Sequence, residues 1–245
     1  MALKVIQANV NRATAAQDLV MHTAVELDSN VIAISKPNNR IVSQGNWFID
    51  ETQDTAIQII DKPIGKIGKG KGFMYVEIEQ IIIYSCYISP NLQIPTFESY
   101  LETLGNDLKK HKKHLVLTGD FNAKSPEWGS KTRDRRGKIM EEWIVERKLV
   151  IINKGDTPTI VRKTGKSWVD LTLSTENIAK SIENWQVEET ESGSDHQYIT
   201  FDIKGIKGKN DYKNKVTTKR RWNLKTLDEA LFETVLKMRA ETRRI

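Results

Sequence analysis

Two short polar clusters carry residue types that phosphate chemistry uses, and each lies next to an apolar run. They are Gly119-Asp120-Phe121-Asn122 and Ser194-Asp195-His196. Buried strands that end in carboxylate, amide and imidazole groups can direct those groups into one cleft, where a hard cation and a phosphate can bind. The pattern therefore predicts a site that cleaves a phosphodiester bond.

A third apolar run departs from this pattern. Val31-Ile32-Ala33-Ile34-Ser35 also predicts a buried strand, but Lys36 and Pro37 follow it. A cation site would have an acid at such a strand end, because Mg²⁺ prefers oxygen ligands. The residues therefore support the fold more firmly than the activity.

The side chains of the two clusters suit the separate tasks of phosphodiester hydrolysis. His196 is the candidate general base, and Asp170, which lies outside the two clusters, could hold its second ring nitrogen. Asp120 and Asn122 would orient the attacking water and contact the phosphate, since an amide donates without adding negative charge. The competing interpretations are a packing or surface histidine for His196 and a tight turn for the Asp120 cluster.

Composition limits the class of protein. A chain of 245 residues with 38% hydrophobic content can form one large domain with a tail. The single cysteine, Cys86, excludes an intrachain disulfide framework. No apolar stretch has the length of a membrane span, and the N-terminus lacks a signal-peptide pattern. These features predict an intracellular protein without a membrane partner.

The net charge of +6 is concentrated at the C-terminus. Residues 204–245 hold 13 Lys and Arg against 5 acids, whereas residues 1–203 hold 25 against 27. A polyanion would therefore meet local patches, such as Lys131–Lys138 and the cluster Arg162, Lys163 and Lys166, or the tail. The competing interpretation of each patch is a solvated loop. Residues 204–223 predict a flexible basic linker, and residues 224–245 predict an amphipathic helix.

The order of apolar patterns predicts the architecture. Helices are predicted at residues 13–28, from Pro95 onward, and at 137–148. Strands are predicted at residues 3–10, 31–35, 56–60, 73–78, 81–88, 115–118, 150–152, 167–173, 185–187 and 198–203. Helices inserted between hairpins favour an α/β fold of two packed, mostly antiparallel sheets flanked by helices over a doubly wound parallel sheet.

Five motifs in this order resemble the endonuclease domain of non-LTR retrotransposons. They are Ile6–Arg12, Tyr84–Pro90, Gly119–Asn122, Ser167–Asp170 and Ser194–His196. That domain belongs to the endonuclease/exonuclease/phosphatase superfamily, which includes apurinic endonucleases. The resemblance covers about residues 1–203 and implies a four-layer α/β/β/α sandwich. It also implies Mg²⁺-dependent nicking of double-stranded DNA, with Mn²⁺ as a possible substitute, to prime reverse transcription in the nucleus.

The same resemblance implies further roles for individual residues. Asn9 and Asp195 would lie around the metal, and Tyr87 would donate a hydrogen bond to the phosphate, although Tyr87 fits the core equally well. Residues 224–245 would begin the connection to a reverse transcriptase domain. The candidate DNA contacts are Asn11, Arg12, Trp128, Arg135, Arg136, Lys163 and Trp168. Core packing is the alternative for Trp128, and an exposed helix start is the alternative for the two arginines.

Lys36 departs from the family at its most charge-sensitive position. The resemblance implies a Glu before Pro37, acting as the main protein ligand of the metal. Two unit charges 4 Å apart interact by ~4 kcal/mol at an effective dielectric constant of 20, so this replacement predicts weak or absent Mg²⁺-dependent nicking. Alternatively, Lys36 turns outward while Asp195 and Asn9 hold the ion, or its ammonium replaces part of the metal's charge.

Three functions remain open on the sequence. The first is a retrotransposon endonuclease domain impaired at its metal site. The second is a catalytically inactive DNA-binding module on the same fold. The third is a phosphatase or phosphodiesterase of the superfamily that acts on a small molecule or lipid, and the basic loops near the predicted site count against it.

Overall fold

The computed structural model describes residues 2–205. The predicted helix at 224–245 and all but the first two residues of the predicted linker lie outside this range. Within it, no helix is both long enough and apolar enough to cross a membrane.

Fourteen strands and five helices make up the described part of the chain. The strands are β1 (Leu3–Asn9), β2 (Val31–Ser35), β3 (Trp47–Ile49), β4 (Thr55–Ile59), β5 (Ile67–Gly70), β6 (Phe73–Ile78), β7 (Ile81–Tyr87), β8 (His114–Asp120), β9 (Leu149–Ile151), β10 (Ile160–Arg162), β11 (Gly165–Ser167), β12 (Asp170–Thr175), β13 (Ile182–Val187) and β14 (Ile199–Ile203). The helices are α1 (Thr14–Glu26), α2 (Asn39–Gln44), α3 (Ile94–Leu108), α4 (Arg135–Glu146) and α5 (Glu176–Ala179).

Twelve of these strands form two six-stranded sheets. The first sheet has the order β13-β14-β1-β2-β4-β3, and the second has the order β5-β6-β7-β8-β12-β9. Within each sheet one pair is parallel, β1 with β2 and β7 with β8, and the other pairs are antiparallel. The predicted fold class, two mostly antiparallel sheets, is confirmed.

Three apolar clusters separate four layers. One, which includes Val20 and Ile32, packs α1 and α2 against the first sheet. A second, which includes Val31 and Val116, fills the space between the two sheets. A third, which includes Phe97 and Met140, packs α3 and α4 against the second sheet. Because the central strands are covered on both faces, they have the near-continuous apolar sequences of buried strands.

The predicted strand at 167–173 is wrong in its first residues. Ser167 ends a two-stranded hairpin, β10–β11, that lies outside both sheets, and the sheet strand begins only at Asp170. The hairpin strands have three residues each, and Val161 at their centre is 42% exposed. Such short strands without a buried face give no alternating pattern from which to predict them.

Strand register brings the polar strand ends to one edge. In the second sheet, Tyr87 of β7 and Asp170 of β12 both pair with Asp120 of β8. In the first sheet, Asn9 pairs with Ser35, so that Lys36 follows directly. Since both sheets present these ends on the same side, residues distant in sequence line one pocket.

Candidate functional site

One pocket of about 470 Å³ is lined by residues at the ends of β1, β2, β7 and β8 and by residues that precede β12 and β14. Its lining includes Asp120, Asn122, Asp195 and His196 of the two polar clusters. It also includes Lys36 and four candidates named outside those clusters, Asn9, Asn11, Tyr87 and Arg136. A polar concave surface at converging strand ends is the usual place for a catalytic or binding site.

The base of the site is a buried hydrogen-bonded group. Nδ1 of His196 lies 2.9 Å from Oδ2 of Asp170, and its Nε2 lies 3.9 Å from Oδ2 of Asp120. Nδ2 of Asn9 donates to Oδ2 of Asp120 at 2.9 Å and lies 3.3 Å from Nε2 of the imidazole. A carboxylate on Nδ1 fixes the orientation of the ring and directs Nε2 toward Asp120 and Asn9.

Burial perturbs two titratable groups in this cluster. Desolvation, followed by the neighbouring Asp170 carboxylate, raises the pKa of Asp120 from its usual 3.8 to about 7. Desolvation alone would lower the pKa of His196, but Asp170 and Asp120 outweigh it, and the net pKa is raised. Groups that exchange protons near neutral pH, in a pocket, are typical of acid–base sites.

The loop after β8 is held close to β7 by its backbone. Gly119 has a φ of +151°, and a Cβ there would lie 1.9 Å from the carbonyl oxygen of Cys86, so only glycine fits. Asn122, three residues later, has a φ of +47° and donates from Nδ2 to the carbonyl of Ile88. Its backbone N–H donates to Asp120 at 3.1 Å. This turn therefore fixes the Asp120 carboxylate.

Tyr87 lines the same pocket at the end of β7 and is 9% exposed. Burial, followed by the charge of Asp120, raises the pKa of its phenol. The hydroxyl therefore stays a neutral hydrogen-bond donor around neutral pH. This placement suits the predicted contact with a phosphate oxygen, and the low exposure of the ring also fits the core alternative.

The mouth of the pocket is built on turns. Asn11 and Lys36 have φ values of +45° and +51°, a conformation uncommon for residues with a Cβ. Nζ of Lys36 donates to Oδ1 of Asn11 at 2.5 Å, and the Asn11 backbone N–H donates to Oδ1 of Asn9. Lys36 therefore lies at the mouth rather than turning away from it.

Asp195 has a charged partner. Its Oδ2 lies 2.7 Å from Nε of Arg162, which belongs to the β10–β11 hairpin, and both side chains are about half exposed. The hairpin is also joined to this loop by a bridge between Ile160 and His196. Arg162 was predicted only as part of a basic patch, and no sequence signal indicates its pairing with a residue 33 positions away.

The oxygens near Lys36 do not fit a resident divalent cation. The predicted ligand Asn9 uses its amide oxygen to accept a backbone N–H, and the Asp195 carboxylate is paired with Arg162. Lys36 adds a positive charge where an anionic ligand is needed. The buried group Asp120, Asp170 and His196, whose ligand atoms lie within 4.8 Å of one another, could hold a metal ion. Its members are, however, hydrogen-bonded to each other and to Asn9.

Several predicted DNA contacts have structural partners. Trp128 is 3% exposed and donates from its indole N–H to the carbonyl of Ala123. Trp168 is 9% exposed and donates to the carbonyl of Asp156. Arg12 pairs with Asp54 at 2.7 Å. The burial of Trp128 fits the core-packing alternative and leaves little of the ring for stacking on a base.

Arg135 and Arg136 differ despite being neighbours. Arg136 is 7% exposed, and its guanidinium donates to the carbonyls of Ser89 and Leu92 at 2.9 and 2.7 Å and lies over the Phe97 ring. Arg135 is exposed at the start of α4. Lys163 is exposed in the turn of the β10–β11 hairpin. Arg135 and Lys163 therefore have the accessibility that a contact to a phosphate backbone requires.

Comparisons with known proteins agree with the resemblance that the five sequence motifs carry. A family model described as endonuclease-reverse transcriptase matches residues 81–200. The Pol polyprotein of the type-1 retrotransposable element R1 from Bradysia coprophila is 26% identical over 130 residues. That match covers 49% of this chain and only 13% of the polyprotein.

Solved structures extend the likeness to most of the fold. The endonuclease domain of TRAS1, a telomere-specific non-LTR retrotransposon, has a TM-score of 0.73 and 29% identity, and the alignment covers 83% of this chain and 98% of that one. An AP endonuclease from Archaeoglobus fulgidus has a TM-score of 0.66 at 16% identity, with 82% and 99% covered, which indicates a shared fold. The resemblance predicted from the five motifs is confirmed: the described residues are similar in fold and in sequence to the endonuclease domain of a non-LTR retrotransposon, and they share the fold of an AP endonuclease.

Proposed function

We propose that this domain binds double-stranded DNA and carries the acid–base machinery for nicking one strand by phosphodiester hydrolysis, while Lys36 impairs cleavage in this copy. The observation that carries the proposal is the buried group Asp170, His196 and Asp120 at the base of a pocket bounded by exposed cationic loops. Hydrolysis needs an activated water, and this group holds a proton acceptor in a fixed orientation.

The role of each residue follows from its partners. Asp170 accepts the Nδ1 proton of His196, so Nε2 is the nitrogen that takes a proton from the attacking water. Asp120 lies on the Nε2 side and, with a pKa of about 7, can orient that water and share its proton. Tyr87 and Asn122 then donate to phosphate oxygens, where negative charge develops in the transition state.

Lys36 accounts for the proposed impairment. Divalent-ion-dependent nicking in related domains is expected to rely on an acid at this position, and an ammonium there repels the ion instead of binding it. The two predicted ligands nearby already have partners, since the amide oxygen of Asn9 accepts the Asn11 N–H and the carboxylate of Asp195 is paired with Arg162. We therefore assign no step of hydrolysis in this chain to a bound metal.

The biological setting is part of the same proposal. The R1 relative is a polyprotein much longer than this chain, and the matching family model is described as endonuclease-reverse transcriptase. We propose that the domain works in the nucleus beside a reverse transcriptase, with the nick as primer. The basic segment after residue 203 is the candidate connection between them.

Nicking of supercoiled plasmid tests the proposal. With Mg²⁺ or Mn²⁺, the native chain is expected to be slow, Lys36→Glu to nick, and Lys36→Glu/His196→Ala to be inactive. Lys180→Glu makes the same charge change beyond α5, at the opposite end of β12 from Asp170, and should leave the native rate unchanged.

The outcomes separate the candidate functions. Equal nicking by the native chain and Lys36→Glu would overturn the assignment of Lys36. A Lys36→Glu variant that binds duplex DNA without nicking it would favour the DNA-binding module. Hydrolysis of a small phosphate ester with no activity on DNA would favour a phosphatase or phosphodiesterase.

A further inference from the structure

The ammonium of Lys36 lies in the pocket without a carboxylate partner. Among residues 2–205, no acidic oxygen comes within 4.0 Å of Nζ, and its hydrogen bond goes to the neutral amide oxygen of Asn11. A neutral acceptor leaves the charge of the ammonium uncompensated. Two further N–H groups of this ammonium remain for a ligand.

The carboxylates that line the same pocket have partners of their own. Asp195 is paired with Arg162 at 2.7 Å. Asp134 accepts backbone N–H bonds from Lys124 and Gly137 at the start of α4. Asp120 is buried against Asn9 and His196. None of the three acids is therefore held by Lys36, and the ligand that suits this ammonium is an anion.

The pocket can admit such an anion. Its volume of about 470 Å³ exceeds that of a phosphate group, and Lys124 lies on its rim. Two main-chain hydrogen bonds hold the backbone of Lys36, whose φ is near +51°. Its N–H donates to the carbonyl of Asp54, and its carbonyl accepts the N–H of Arg12. The turn therefore presents the side chain from a fixed base, which limits the conformational cost of binding.

We propose that Lys36 binds a phosphodiester group of DNA directly, so that the pocket is a phosphate site that needs no divalent ion. This inference rests on the proposed function, because it identifies what occupies the impaired cleavage site. It follows that Lys36, where the resemblance implies a Glu, makes an anion site of a place expected to bind a cation, and that DNA binding survives removal of metal by a chelator.

Duplex binding in EDTA is the test. The probe is a fluorescein-labelled 20-base-pair duplex, followed by anisotropy at several KCl concentrations. Lys36→Gln is expected to weaken binding about tenfold and to reduce the slope of log K against log salt by about 1, as for one lost phosphate contact. Lys36→Arg should retain both values. Lys180→Gln is the matched control for loss of one positive charge, and circular dichroism confirms that each variant folds.

The comparison with Mg²⁺ sharpens the result. Native binding should be equally tight in EDTA and in Mg²⁺ at matched ionic strength, whereas Lys36→Glu should bind more tightly in Mg²⁺ than in EDTA. The inference is overturned if Lys36→Gln and Lys180→Gln behave alike, or if the native chain binds only when Mg²⁺ is present.

A second probe keeps the inference separable from the proposed function. If the native chain binds no duplex in either buffer, the DNA proposal fails, and inorganic phosphate then tests the pocket alone. In EDTA, phosphate is expected to shift the imidazole NMR resonances of His196 in the native protein and not in Lys36→Gln. Equal shifts in both proteins, or none in either, would contradict a phosphate site at Lys36.

Discussion

The two halves of the pocket are held in different ways. At the base, Asp120, Asp170 and His196 are buried at strand ends fixed by sheet register and by each other. At the mouth, Lys36 lies on a left-handed turn, and the ion pair of Asp195 is about half exposed. A charge reversal at the base would leave a buried charge unpaired, whereas one at the mouth costs the fold little. The mouth is therefore where ligand preference can change while the fold and the acid–base group persist.

The largest expected effect comes from removing the imidazole at the base. In the Lys36→Glu background, His196→Ala is expected to reduce the rate of plasmid nicking by about 10²–10⁴-fold, the usual loss for a general base. The measurement is the initial rate of conversion of supercoiled to nicked plasmid.

His22→Ala is the matched control, since His22 is exposed on α1 and, among residues 2–205, its ion pair is with Glu26 across one helical turn. It should leave the rate unchanged. Retention of nicking by the His196 variant would show that another group accepts the proton.

The base should also make stability depend on pH. Because burial raises the native pKa of Asp120 from 3.8 to about 7, the native state holds a proton that the unfolded chain releases. The stability that this bound proton adds to the native state is fully present below about pH 3.8 and is lost as the pH rises through 7. Asp120→Asn cannot ionise, so it should remove a decline on the order of 3 kcal/mol in the free energy of unfolding.

Urea unfolding at pH 5 and pH 8 measures this difference. Asp18→Asn, on the exposed face of α1, is the control and should keep the native pH dependence. An identical decline in native protein and Asp120→Asn would assign the effect to other groups.

The sequence is most informative where burial imposes a pattern. The central strands are apolar on both faces, so their positions and the polar residues at their ends were predictable, including Asp120 and Asn9. The exposed β10–β11 hairpin could not be predicted in this way. Trp128 follows Ser-Pro-Glu, a pattern typical of an exposed loop, but its ring packs in the core. The pairing of Arg162 with Asp195 depends on that hairpin's tertiary position, which no local pattern encodes.

Two neighbouring arginines can separate structural from binding roles. Arg136→Met should lower the free energy of unfolding by about 2–3 kcal/mol, because it removes the side-chain donor to the carbonyls of Ser89 and Leu92 and the contact over Phe97. The Ser89 carbonyl keeps the backbone N–H of Leu92 as a donor. Its effect on the salt dependence of duplex binding should be small. Arg135→Met is expected to leave the free energy of unfolding in urea unchanged. In the anisotropy measurement it should reduce the slope of log K for duplex binding against log salt. A shared effect on both measurements would mean that the two side chains act as one site.

The smallest expected effect on stability lies at the mouth. The pair of Arg162 and Asp195 is 51% and 54% exposed, so solvent screens it, and Arg162→Gln should change the free energy of unfolding by no more than about 0.5 kcal/mol. The same substitution frees the Asp195 carboxylate to face a cation. In the Lys36→Glu background it should therefore lower the Mn²⁺ concentration that gives half-maximal nicking, while Lys180→Gln, directly after α5 and outside the pocket lining, should leave that concentration unchanged. If Arg162→Gln instead raises the Mn²⁺ requirement, Arg162 aids the site by holding the hairpin over the pocket, and the mouth is less independent of the fold than its exposure implies.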